Sequence, residues 1–87
     1  MQELKLTAAQ IKSARIFLAW KQEELATKSG VSLQTIRRLE NLTGIISANA
    51  STLNKLISTF EANGVTFTND IDGSIGLTFS AKQTQKQ

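Results

Sequence analysis

The chain has 87 residues, enough for one hydrophobic core and not two. It contains no Cys and no His, which excludes a disulfide framework, thiol chemistry and the usual zinc sites, so neither a metal nor a cofactor is expected. Its formal net charge of +3 sits in residues 1–50, where Lys5, Lys12, Arg15, Lys21, Lys28, Arg37 and Arg38 outnumber Glu3, Glu23, Glu24 and Glu40, and that imbalance favours a polyanionic partner.

The opening residues MQELKLTAAQ carry no apolar segment of signal-peptide type, and no apolar run approaches the ~20 residues of a membrane span. A cytoplasmic location is therefore expected. Thr7 and Gln10 have the spacing of a capping box. They predict a first helix running to about Ala19, with Ile11, Ala14 and Leu18 at core spacing. Phe17 and Trp20 are read as bulk added to that core rather than as a nucleobase-stacking pair.

Residues 22–41, QEELATKSGVSLQTIRRLEN, read as two short amphipathic helices joined by a tight turn. Leu25 and Ala26 point the first helix toward the core. Gly30 ends it, since glycine takes the left-handed conformation of a helix stop without a Cβ penalty. Val31 is an apolar anchor in the turn, and Ser32 is a good N-cap for the second helix. Two helices joined by a short turn with Gly form the helix-turn-helix pattern, whose second helix enters the DNA major groove.

In that second helix, Ile36 and Leu39 define the buried side. Gln34, Arg38 and Asn41 fall nearly opposite, with Arg37 beside them. Gln pairs bidentately with adenine and Arg with guanine. Gln34, Arg37 and Arg38 are therefore the expected base readers. Leu33 joins them as the first outward position, where it either touches a thymine methyl or simply packs. Lys21, Gln22, Ser32, Thr35 and Asn41 are the expected contacts to the DNA backbone, where helix N-termini already favour anions.

Leu42 to Asn49 reads as a loop in which Ile45 and Ile46 tuck back onto the core. A fourth helix starts near Ala50, capped by Asn49 or Ser51, and runs to Asn63. Leu53, Leu56, Ile57 and Phe60 form its core stripe. Gly64 ends it. Val65–Thr68 and Ile75–Phe79 then alternate apolar and polar residues around an Asp72-Gly73 turn signal, which predicts a β-hairpin. Its apolar face comprises Val65, Phe67, Ile75, Leu77 and Phe79 and is the expected dimerisation element, partly covered by the fourth helix. The polar tail from Ser80 is expected to be disordered.

Residues 6–64 resemble the small helix-turn-helix repressors of bacteria and phage, the Xre or Cro/C1-type family. The shared pattern is QEELA, a Gly turn, a Ser cap and IxxLEN. The resemblance implies a mainly α fold: a four- to five-helix lambda-repressor-like bundle over residues 1–64, with a C-terminal two-stranded hairpin over 65–79 and a tail over 80–87. It implies a regulator, as a repressor, that binds an inverted-repeat operator in double-stranded DNA as a homodimer. It also implies a structural ion pair between Arg15 and Glu40. The residues themselves support such a pair, because Glu40 lies beside the Ile36/Leu39 stripe and needs a cation if buried. The chain departs from the pattern at Lys21, where a Ser or Thr cap is usual, and at Leu33, where a polar reader is common.

An enzyme is not expected. The one close acidic pair, Asp70 and Asp72, lies in the predicted turn with no base nearby in sequence. The alternative function is a DNA-binding antitoxin or a protein-interaction module acting with another protein. A short polar segment after the hairpin argues mildly against the antitoxin.

Overall fold

The computed structural model describes residues 6–69 and 75–80. Their order is α1 (Ala8–Phe17), α2 (Gln22–Ser29), α3 (Leu33–Glu40), α4 (Ala50–Ala62), β1 (Val65–Asn69) and β2 (Ile75–Phe79). The fold is a helical bundle with a C-terminal antiparallel hairpin, as the sequence pattern predicts. The Asp72-Gly73 turn, the Asp70/Asp72 pair and the tail beyond Ser80 lie outside the described residues.

One core gathers every helix and the start of the hairpin. Ile11 and Ala14 of α1, Leu25 of α2, Val31 of the turn, Ile36 and Leu39 of α3, Leu53, Leu56 and Phe60 of α4, and Val65 of β1 are all buried. Leu6, fully buried before the first helix, joins them. Its carbonyl accepts from the Ile46 N–H at 2.8 Å, which pins the segment after α3 to the start of the chain.

The caps follow the local chemistry. Thr7 Oγ1 accepts from the Gln10 N–H and Gln10 Oε1 accepts from the Thr7 N–H, the reciprocal box predicted for α1. Asn49, not Ser51, caps α4 by accepting from the Thr52 N–H at 2.8 Å. Gly30 ends α2 in the left-handed region at φ 78°.

In three places the structure differs from the sequence-based expectation. The first helix ends at Phe17, short of Ala19. Ala19 takes φ 61° instead, the Ala19 N–H donates to Ile16 O, and the Trp20 N–H donates to Arg15 O at 3.0 Å. Those two bonds are the Schellman closure, built here on alanine where glycine is usual. The second difference is Ile45, which is 60% exposed while Ile46 is buried. Ile45 sits in an isolated antiparallel bridge with Thr7, and neighbours in extended chain point to opposite sides. The third is Phe17, which lies outside the core at 58% exposed and stacks on Phe79 of the hairpin with ring centroids 3.6 Å apart.

The hairpin register pairs Val65 with Phe79, Phe67 with Leu77 and Asn69 with Ile75. Part of its apolar face packs within the chain, where Val65 is buried and Phe67 is half-buried, whereas Phe79 stays exposed. Phe67 meets Phe60 of α4 edge-on at 5.6 Å, and Phe79 carries the Phe17 ring from α1. Gln10 Nε2 also donates to Gly76 O at 2.9 Å, tying β2 to the first turn of α1.

Candidate nucleic-acid interface

The α2–turn–α3 unit is held from below by Leu25, Val31, Ile36 and Leu39, all buried. The turn is short because Gly30 reverses the chain and Ser32 restarts it. Ser32 Oγ accepts from the Thr35 N–H at 3.1 Å and donates to Thr35 Oγ1 at 2.9 Å. The Ser32 proton is thus committed, whereas the Thr35 hydroxyl keeps its own proton to donate.

On the outer side of α3, Gln34, Arg37 and Arg38 are exposed, and exposed Asn41 follows as the C-cap. Leu33 is half-buried at the helix start, so part of its side chain packs and part faces outward. Arg37 and Arg38 occupy the last turn, where a cation also complements the helix dipole. The side chains of Gln34, Arg37, Arg38 and Asn41 make no hydrogen bond to another described residue.

Lys21 and Gln22 open α2. The Lys21 side chain makes no cap bond; the one capping contact is the reverse half of the box, in which the Lys21 N–H donates to Glu24 Oε1 at 2.8 Å. Among the described residues nothing accepts from the backbone N–H groups of Gln22 and Glu23, the orphan donors of a helix start. A notch of about 280 Å³ lies here between α2 and α3, lined by Lys21, Gln22, Glu23 and Arg37. Two cations and free N–H groups make it a fit for a phosphate, with Glu23 the one opposing charge.

Arg15 and Glu40 come together as a two-pronged pair. Arg15 Nε and Nη2 donate to the two carboxylate oxygens at 2.8 and 2.9 Å, with the side chains 12% and 3% exposed. The hydrogen bond to Glu40 raises the Arg15 pKa above its already high ordinary value, against the opposing effect of burial. Arg15 Nη1 also donates to Trp20 O at 2.9 Å. Glu40 accepts a further bond from Gln22 Nε2 at 3.0 Å. The pair therefore ties the end of α1, the start of α2 and the end of α3 into one polar cluster. The Gln22–Glu40 bond was not legible from periodicity, because it joins residues 18 apart whose approach depends on the turn.

Two further contacts escaped sequence reasoning. Lys28 Nζ lies 5.2 Å from the Trp20 ring centroid, and that ring stacks on Phe60 at 5.9 Å. Trp20 is thus a packing residue at the bundle edge. Among the described residues, no helix is long and apolar enough to cross a membrane.

A family model described as helix-turn-helix matches residues 11–63. No curated protein matches the chain. The matched segment runs from within α1 to just past the end of α4 and covers more than half the sequence, so the chain belongs to the helix-turn-helix family, in its Xre and Cro/C1 type, a family of DNA-binding transcription regulators.

Proposed function

We propose that this family member is a repressor that binds an inverted-repeat operator as a homodimer, with α3 in the major groove. The observation that carries the reading is the outer face of α3. It presents Gln34, Arg37 and Arg38 to solvent on a helix whose opposite face is buried and whose start is capped. Gln there has the donor and acceptor to read an adenine edge, and Arg has the paired donors to read guanine. Leu33 supplies an apolar contact at the start of the same face.

Lys21, Gln22, Thr35 and Asn41 hold the protein on phosphates, with the orphan N–H groups of α2 aiding the first two. Ser32 contributes by orienting Thr35. Two copies are needed because a single recognition helix reads too few base pairs for a sharp operator. The hairpin, with Val65, Phe67, Ile75, Leu77 and Phe79, is the proposed joining element.

Library-based selection of duplex DNA tests the reading. The expected result is an inverted repeat with half-sites about one helical turn, ~34 Å, apart. Recovery of no enriched motif, or of one unpaired half-site, overturns it.

A further inference from the structure

Three residues of α3 are apolar: Leu33, Ile36 and Leu39. Ile36 and Leu39 are buried, whereas Leu33 keeps part of its surface in water. Leu18, Ala26 and Ile57 are also half-buried, and they lean on the core; Leu33 does not. Packing into the bundle therefore does not account for a leucine at this position.

The local geometry aims the side chain at DNA. Leu33 is the first residue of α3, and Cα–Cβ bonds in a helix tilt toward its N-terminus. The N-terminal residues of a recognition helix are the ones that reach base edges. At about 100° per residue, Leu33 lies about 40° from Arg37, one turn on, and about 60° from Ile36 on the other side. It sits where the buried side meets the exposed one, beside a proposed guanine reader.

Leu33 neither donates nor accepts a hydrogen bond. Set against an amino, carbonyl or ring-nitrogen group, it strips water from that group and returns nothing. The apolar feature of the major groove is the C5-methyl group of a pyrimidine. Thymine carries it, and 5-methylcytosine carries it at the same ring position.

We propose that Leu33 reads a pyrimidine C5-methyl group, taking thymine and 5-methylcytosine and discriminating against uracil and unmodified cytosine. This role rests on the reading of α3 as the helix in the major groove. Part of the side chain is covered before DNA arrives, so little further freedom is lost on contact. A methyl mark on cytosine at that point of a half-site therefore strengthens binding instead of blocking it.

The test is fluorescence anisotropy of the intact chain on duplexes made from the selected operator, with the pyrimidines altered one position at a time in both half-sites. Thymine is compared with uracil, and 5-methylcytosine with cytosine. Each comparison changes the methyl alone and leaves the hydrogen-bonding groups of the base in place. At one position both ratios should favour the methylated base, about fourfold per half-site and about fifteenfold for the two together, the weight of one methyl withdrawn from water. In Leu33→Ala both ratios should fall close to one. In Leu33→Met, which keeps an apolar reach, both should persist. Leu33→Gln, close in length but polar at its tip, repeats the loss without shortening the side chain, and thermal melts confirm that each variant is folded. Equal binding of methylated and unmethylated duplexes at every pyrimidine, or ratios that survive in both Leu33→Ala and Leu33→Gln, overturns the assignment and leaves operator recognition standing. A preference for thymine over uracil with none for 5-methylcytosine over cytosine also overturns it, because the methyl is then not what is read. If the intact chain prefers no duplex over random DNA, base reading by α3 falls and this role for Leu33 falls with it.

Discussion

The side-chain amide of Gln22 donates to the carboxylate of Glu40 at 3.0 Å, joining the first residue of α2 to the last residue of α3. The proposed phosphate contact and the recognition helix thus share a buried anion, which Arg15 neutralises. Loosening this anion should disturb both the fold and the grip on DNA.

Removing one partner of a buried pair leaves the other charge uncompensated. Glu40→Ala or Arg15→Ala should each destabilise the protein by about 3 kcal/mol. Arg15→Met combined with Glu40→Leu should recover much of that loss, since apolar replacements of similar size often match a buried pair. Urea unfolding measures both. A loss under about 0.5 kcal/mol for the single variants would mean that the pair behaves as a solvent-screened surface contact.

The exposed face of α3 should carry sequence discrimination. Gln34→Ala and Arg38→Ala should each cost about 1–3 kcal/mol on the selected operator, with much less effect on random duplex. Fluorescence anisotropy on the two DNAs separates the outcomes. Equal losses on both would remove base reading from these residues.

At the mouth of the notch between α2 and α3, Lys21→Gln should weaken binding to all duplexes alike. The slope of log affinity against log salt should fall by about one counterion. An unchanged slope would place the Lys21 ammonium away from the DNA backbone.

Ala19→Gly should stabilise the protein. Ala19 holds φ 61° in the closure of α1, a left-handed conformation that costs a residue with a Cβ about 1–2 kcal/mol. Glycine removes that strain but adds freedom to the unfolded chain, so the net gain should be about 0.5–1 kcal/mol. A lower melting temperature for this variant would show that the Ala19 methyl contributes more by contact than the backbone loses by strain.

Much of the fold was legible because the chain follows local rules. The 3.6-residue stripe of α4, the Gly30 stop, the Ser32 cap and the Thr7/Gln10 box each act within a few residues. Their structural outcome follows from identity and spacing. What was missed depends on tertiary approach or on an unusual choice of residue. Ala19 gives no sign of a left-handed stop, because glycine normally marks it. Ile45 and Ile46 look alike in composition, and only the bridge to Thr7 decides which of them turns inward. Phe17 lies on the side of α1 facing the hairpin, which the period of α1 alone does not locate. At the interface, the exposure of Gln34, Arg37 and Arg38 follows from helical phase. The link from Gln22 to Glu40 needs the turn to be folded first.

Gln10 serves two elements with one side-chain amide. Its oxygen completes the cap of α1 by accepting from the Thr7 N–H, and its nitrogen holds the Gly76 carbonyl of β2. The hairpin therefore cannot peel from the bundle without loosening the first turn of α1. Native-state hydrogen exchange should find the amides of Thr7 and Gln10 opening together with those of β2, as one cooperative unit rather than as a frayed helix end. In Gln10→Glu the donor to Gly76 is lost while the acceptor for Thr7 remains, and the two sets of amides should then open independently.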